Sequence, residues 1–466
     1  MIQPHASSAP NRYSRLLKPL DQPFDPTTME TLGLSMKNPV PSNHGPAIFA
    51  GYTYFGQFID HDLTRDDTPL INAGDDEPCD IENHRSPWLD LEILYGDGPC
   101  SLSHRDLYAA DGASFRLGTD VHTPFGEEFD VPLDAQKEPQ LADRRNRENP
   151  FIRQIHAMFL KLHNAAVKEL PRTLGSRERF ERARDRVRWQ YQYLVRHDFL
   201  RTVCKQEVYQ QIMGGTRLVD WGAGGFSIPI EFSQAAFRFG HSMVRDSYIL
   251  NGLSIGGGIA GTPLETLFDE ANQPGPILSH RYVDWDRFLG GVSTTGTEFA
   301  EFINTGIPLA LFHLRLHDVA LFVKSVGFDP GELQLPIRTL QRGAATLLAN
   351  GEQAESAFGR GDSLRSTYPS ANEWAILDNC GLRDNTPLWY YILLEAQLEG
   401  GGADLGTVGS RIVAEVIEGC LRSDRNSFLA QNELGWVPPP WTGPQGQPIA
   451  VRTLHDAAVV VGLATP

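Results

Sequence analysis

A histidine set between two carboxylates occurs at Asp60-His61-Asp62, at the end of the aromatic run Tyr54-Phe55-Gly56-Gln57-Phe58-Ile59. On a helix Gln57 and His61 are one turn apart and share a face, with Asp60 close by. An imidazole in that company suits proton shuttling or metal ligation, because its charge changes near neutral pH. A half-buried core histidine beside solvated aspartates explains the same residues. His-Asp pairs recur at 197–198, 317–318 and 455–456, so the dipeptide alone carries little. A second histidine, His241, follows Gly240 in the stretch Phe237-Arg238-Phe239-Gly240-His241-Ser242-Met243. A glycine beside it leaves room for the edge of a macrocycle, as an axial haem ligand requires, and a core histidine again fits as well.

Three further patterns carry chemistry on paper. Ser86, Trp88, Asp90 and Glu92 alternate, so an extended segment puts two carboxylates with hydroxyl and carbonyl oxygens on one side, the donor set of a hard cation. His313 and His317 have the spacing of a two-histidine metal site, as metal-dependent phosphohydrolases use. Leu314 stands where a zinc protease would carry its glutamate, and a structural role is the simpler reading. Gly256-Gly257-Gly258-Ile259-Ala260-Gly261 matches G-x-G-x-x-G formally. Thr262-Pro263 then places the helix cap and first-turn proline after the last glycine, and no βαβ alternation surrounds it. A turn-rich loop is expected there.

The elements that must position these residues are mostly helical. Gly45-Pro46 precedes a helical window over 47–62, and Pro150 opens a stronger one in which Ile152, Ile155, Phe159, Leu162 and Ala166 recur at spacings of three and four. Phe180, Ala183, Val187, Tyr191 and Leu194 repeat the pattern, with arginines and acids interleaved as a solvated face. Further windows lie at about 229–246, 338–350, 386–399 and 404–423, and strand-like alternation is scarce. Residues 64–150 are dense in Asp, Gly and Pro and read as ordered loops. Residues 1–46 show no periodic element and read as an N-terminal arm, leaving 47–466 as one large, mainly α-helical domain with very little β structure.

Composition narrows the function. The 466 residues carry 41 basic and 58 acidic side chains, a net charge of −17, so nucleic acid is excluded as a partner. With 41% apolar and 10% aromatic residues the chain can bury a large core. Five scattered cysteines (Cys79, Cys100, Cys204, Cys380, Cys420) have no C-x-x-C spacing, which excludes a zinc ribbon and a c-type haem attachment motif. Free thiols, no visible signal peptide and no long apolar run point to a cytoplasmic protein without a membrane span, or to a secreted one whose signal has been removed.

Seven blocks in order resemble the animal-type haem peroxidases of the peroxidase–cyclooxygenase superfamily, in particular their bacterial members. They are GYTYFGQFIDHDLT (51–64), SPWLDLEILYGDG (86–98), LADRRNRENPFIRQIHAMFLKLHNAAV (141–167), AAFRFGHSMVR (235–245), TLQRG (339–343), TPLWYYILLEAQ (386–397) and LGTVGSRIVAEVIEG (405–419). The resemblance implies the myeloperoxidase-like fold, haem b as cofactor, and an enzyme that reduces hydrogen peroxide. Through a ferryl haem it would oxidise halide, thiocyanate or small phenolic donors. By this resemblance His61 is the distal histidine, Arg145 the distal arginine, Gln57 the distal glutamine and His241 the iron ligand. Asp60 and Glu148 match the carboxylates that form ester bonds to haem. Arg342 matches the arginine that meets a propionate, and Arg238 counts with the haem-binding residues. Asp62, Ser86, the Trp88 carbonyl, Asp90 and Glu92 match a calcium loop.

Departures from the family pattern also have meaning. Asn149 stands where one mammalian branch has a haem-linked methionine, which makes chloride oxidation doubtful and favours bromide, iodide, thiocyanate or organic donors. Thr339 replaces the usual asparagine partner of the proximal histidine, Ser86 a usual threonine, and Glu92 is longer than the usual calcium ligand. A fatty-acid dioxygenase or cyclooxygenase of the same superfamily is the alternative. Those enzymes need a tyrosine three residues before the proximal histidine, where this chain has Arg238, and Ala235–Gly240 contains no tyrosine. A non-catalytic haem protein for adhesion or sensing would need neither His61 nor Arg145.

Overall fold

The computed structural model of the chain describes residues 1–4, 11–37, 48–68, 81–118, 121–123, 126–222, 225–253, 261–293, 296–314, 334–359, 361–432 and 436–466. Helices dominate. Those that matter for the site are α1 (Pro26–Ser35), α2 (Gly51–Leu63), α3 (Pro150–Glu169), α4 (Ser176–Leu194), α5 (Gly240–Met243), α6 (Leu335–Ala345), α7 (Leu388–Gly400) and α8 (Thr407–Ser423). The described β structure is three two-stranded antiparallel sheets, pairing Val121 with Glu128, Ser247 with Pro263 and Trp441 with Ile449 at their ends.

Helix α3 is the axle of the fold, and its start is encoded locally. Asn149 Oδ1 accepts from the Ile152 amide at 3.0 Å and Pro150 takes the first position, where no amide partner is needed. The five apolar residues read from the sequence are all buried. Helix α4 packs along α3, with its apolar stripe buried and its arginines paired outward, Arg177 to Glu181 at 2.9 Å and Arg182 to Glu178 at 2.6 Å. Helix α2 lies across both. Phe58 stacks on Phe159 at 5.2 Å and meets the edge of Tyr191 at 6.0 Å, which fixes the rotation of α2 about its axis. The helix ends at Thr64, whose hydroxyl donates to Asp60 O and Asp60 Oδ1.

Two sequence expectations change. Residues 1–46 do contain a helix, α1, capped by Asp25 and opened by Pro26, which packs on α6. Gly33 permits that packing, since a Cβ there would come within 2.7 Å of Ile337 Cγ1. The window 229–246 is three short pieces, Ile230–Ser233, a 3-10 turn Ala236–Phe239, and α5. The break has a visible cause: Arg238 Nε donates to Ser233 O at 2.9 Å, so a side chain takes the carbonyl that a continuous helix would give to a backbone amide. The piece before it is fixed by Glu231, buried, whose carboxylate accepts the amides of Leu16 and Leu17.

His313 follows a 3-10 turn and is not on an α-helix, while His317 and residues 256–260 of the glycine motif lie outside the described residues. Thr262 and Pro263 form a strand edge before a helix that begins at Leu264. Cys100, Cys204, Cys380 and Cys420 are free thiols. Among the described residues no helix is long and apolar enough to cross a membrane. Because Phe58 sits at the crossing of α2, α3 and α4, Phe58→Ala is expected to cost about 3–5 kcal/mol in denaturant unfolding, and a loss below about 1 kcal/mol would contradict this account of the core.

Candidate active site

A cavity of about 250 Å³ opens between α2 and the Phe237–Val244 segment. Gln57, Asp60 and His61 line one wall, Arg238, Gly240 and His241 the opposite one, and Glu148 and Asn149 enter from the turn before α3. Phe268, Leu311, Leu314 and Leu335 close it with apolar surface. Two histidines 180 residues apart in the chain thus face one space, which the separate sequence segments could not show.

The hydrogen bonds around the first wall form two sets. His61 Nδ1 lies 2.8 Å from Asn146 Oδ1, and Asn146 Nδ2 lies 3.0 Å from His156 Nδ1. Gln57 Nε2 donates to Glu148 Oε2 at 3.1 Å and Gln57 Oε1 accepts from Asn149 Nδ2 at 3.1 Å. Arg145 does not line the cavity. It stands behind His61, donating to the carbonyls of His61 (2.8 Å) and Thr64 (2.9 Å) and to the Asp143 carboxylate. Asp143 also takes Arg85. Asn146, His156, Asp143 and Arg85 were not singled out from the sequence, because none of their pairings follows a helical or strand period.

Across the cavity His241 stands in T-shaped contact with Trp389, ring centres 5.9 Å apart, and Trp389 Nε1 donates to Arg238 O. His241 Nδ1 is enclosed and has no hydrogen-bond partner among the described residues. Thr339, expected near it, donates instead to Leu335 O at 2.9 Å. Arg342 lies off the cavity wall, bonded to Asp66 Oδ2 at 3.3 Å and Thr68 O at 2.8 Å. Its charge still reaches Arg238 and Arg338, so three guanidiniums gather at one edge, balanced by Asp60 and Asp66.

Burial dominates the titration of these groups. Enclosure, and then the Arg145 charge, push His61 down to about 3, so the ring is neutral at physiological pH. Burial and Arg238 do the same to His241, also to about 3. Burial raises Glu148 to about 8 against the pull of Arg145, and raises Asp60 against Arg238 and Arg145. Glu148 keeps some accessible surface and lines the cavity. For Asp143 burial also disfavours the charge, but Arg145 and Arg85 outweigh it and hold the carboxyl well below its ordinary range.

The cation-loop residues are brought together in part. Asp62 Oδ2 accepts the Leu91 amide at 3.0 Å, and the Ile93 amide and the Tyr191 hydroxyl also face this buried carboxylate. Asp90 accepts from Ser86 Oγ at 2.8 Å, and burial lifts it to about 6. Burial and the neighbouring Asp90 raise Asp62 as well. Glu92 turns to Arg85 (3.3 Å) and the Ser86 amide, and the Trp88 ring stacks on Phe226. Among the described residues no group of three or more Asp, Glu, His or Cys side chains converges to hold a metal ion.

Residues 67–321, more than half of the chain, match the animal haem peroxidase family. The chain belongs to that family. The matched span contains Arg145, Glu148, Arg238 and His241, whereas His61 and Arg342 fall outside it. Curated relatives are similar over shorter stretches. Thyroid peroxidase of Homo sapiens is 27% identical over 192 residues, covering 37% of this chain and 20% of that protein. Dual oxidase 1 of Rattus norvegicus is 30% identical over 145 residues, covering 28% of this chain and 9% of that protein. The match therefore spans a fifth or less of those relatives.

Among solved structures the fold is similar to peroxidase A from Dictyostelium discoideum, with a TM-score of 0.64 at 18% identity over 100% of this chain and 94% of that one. It is similar also to the fatty acid α-dioxygenase of Arabidopsis thaliana, TM-score 0.62 at 15% identity over 99% and 81% of the two chains. These likenesses establish the fold of the peroxidase–cyclooxygenase superfamily, which both activities share.

The Glu148 shift predicts a pH-dependent variant. A carboxyl raised in the folded state stabilises below its unfolded value and loses that contribution as pH rises through about 8. In haem-free protein Glu148→Gln should be close to neutral at pH 5 and stabilising relative to the parent near pH 9, by on the order of 2 kcal/mol. Equal differences at the two pH values in urea unfolding would contradict a buried neutral carboxyl.

Proposed function

We propose that the protein is a haem peroxidase that reduces hydrogen peroxide and oxidises small reductants, with bromide, iodide, thiocyanate or phenols as donors. The observation that carries this reading is one cavity with a neutral histidine on each wall and no tyrosine in the segment that carries the second. The residues fit a haem: apolar closure for the ring, a histidine on the wall, carboxyls beside it and guanidiniums at one edge. The bound haem would supply the iron that takes up peroxide and the electrons that reduce it.

The chain's own groups divide the remaining work. His241 would hold the iron, with Trp389 against its ring. His61, neutral, would take the proton from the peroxide oxygen nearest the iron and return it to the departing oxygen. Arg145 would act through space, its cation fixed behind His61 by Asp143, easing negative charge as the O–O bond breaks. Gln57 would orient peroxide from a side chain whose two amide ends are held by Glu148 and Asn149. Arg238 and Arg342, with Arg338 beside them, would meet the propionates. Asp60 and Glu148, both on the cavity wall, would form ester links to the haem periphery.

Asn149 is spent on capping α3 and on Gln57, so it offers no link to haem in place of methionine. That supports the choice of donors easier to oxidise than chloride. A dioxygenase would require a redox-active tyrosine where Arg238 is bonded to Ser233 O. Calcium would join α2 to the 86–92 segment through Asp62, Asp90, Ser86 and the Trp88 carbonyl. The buried Asp62 carboxylate set close to Asp90 supports this, whereas Glu92, held by Arg85, does not fit as a ligand.

Two experiments test the reading. In holoenzyme His61→Ala should slow the stopped-flow reaction with hydrogen peroxide by about 10²–10⁴-fold with haem retained, and His241→Ala should lose the parent haem spectrum. Unchanged rates or an unchanged spectrum would reject those roles, and rapid oxygen uptake with a long-chain fatty acid would favour the dioxygenase. Chelation of calcium should lower Tm by roughly 2–5 °C, reversed by added calcium, while Asp62→Asn should abolish the response. Indifference of Tm to chelator and calcium would remove the ion.

A further inference from the structure

The chain of bonds behind His61 has a property that the proposed chemistry does not use by itself. His61, Asn146 and His156 are 5%, 0% and 1% exposed, and they join α2, the Arg144–Arg147 turn and α3. A buried carboxamide has one accepting and one donating end, so it can stand in two ways between two imidazoles. In the first, Asn146 Oδ1 accepts from His61 Nδ1–H and Nδ2 donates to a bare His156 Nδ1. This leaves His61 Nε2 bare. In the second, Nδ2 donates to His61 Nδ1, so the His61 proton moves to Nε2, which then cannot accept one from a ligand in the cavity.

We propose that Asn146, held in turn by His156, is a positioning residue that keeps His61 in its Nδ1–H form with Nε2 bare. The geometry is that of the first arrangement, with Oδ1 2.8 Å from His61 Nδ1 and Nδ2 3.0 Å from His156 Nδ1. The backbone of His61 is fixed as well, since Arg145 Nη2 donates to its carbonyl at 2.8 Å. Ring and main chain are therefore held independently, and among the described residues Asn146 is the ring's hydrogen-bond partner. Phe58 stands edge-on to His156, ring centres 6.4 Å apart, packing that imidazole from the α2 side. The nitrogen that meets the cavity is chosen from two layers behind it.

The inference rests on His61 being the proton acceptor, and its test separates the two claims. Hydrogen cyanide must lose a proton to bind iron, so its association with holoenzyme reports the bare nitrogen without turnover. Asn146→Ala should slow both cyanide association and the peroxide reaction by about 10- to 100-fold, with the haem spectrum and the KM for a phenolic donor unchanged. Asn146→Asp, isosteric and able only to accept from His61, should restore both rates to within about threefold. In [15N]histidine-labelled protein the His61 Nε2 resonance should have the shift of an unprotonated ring nitrogen. A protonated Nε2 in the parent protein, or an Asn146→Ala variant within twofold of the parent in both rates, would overturn the proposal. If Asn146→Ala does not fold, Asn146→Asp and the nitrogen shift decide alone. A slow His61→Ala beside a fast Asn146→Ala would sink only the positioning role, whereas a fast His61→Ala would sink the acceptor reading itself.

Discussion

The carboxylate of Asp143, 3% exposed, holds the site together. A charge that deep is tolerable only with its counter-charges in place, because leaving either partner alone costs several kcal/mol. Arg85 and Arg145 are therefore committed to it, and each spends its remaining donors on a different segment. Arg145 bonds the carbonyls at the end of α2, and Arg85 reaches Glu92 in the cation loop. Asp143 also caps the turn that carries Asn146 and leads to Glu148, Asn149 and Pro150. Eight consecutive residues thus supply the anchor of the His61 wall, the partner of that histidine, a cavity carboxyl and the start of α3.

Around that one committed charge the cavity is built from groups that burial keeps neutral. His61 and His241 are pushed down and Glu148 up, so proton movement inside would take place between neutral partners with fixed cations at a distance. The arginines at the edge near Arg238 concentrate positive charge away from His61. A low-dielectric interior strengthens each of these effects. The fold itself does not select the chemistry, since peroxidase A and the α-dioxygenases share it. At Arg238 a side-chain bond to Ser233 O interrupts the helix before His241.

Much of this was legible in the chain. Helices α3 and α4 declare themselves by apolar spacing and, for α3, by Asn149-Pro150, because such signals act within one or two turns. The Gln57–His61 face and the Gly240-His241 pair were visible for the same reason. Helix α1 was missed because its apolar stripe is short and depends on α6 for cover. The 229–246 window was read as one helix because the competing bond from Arg238 is a matter of side-chain reach rather than periodicity.

By itself the sequence determined the helical class, the family, and the residue types able to shuttle protons or bind iron, since all of these are carried by local pattern and ordered motifs. Only the tertiary structure decided that His61 and His241 share a cavity, that Arg145 stands behind His61 rather than on the wall, and that Asn146 and His156 back it. Those relations join atoms far apart in the chain. They depend on how α2 is rotated by Phe58 and on which buried charges must be paired, and no spacing along the chain encodes either.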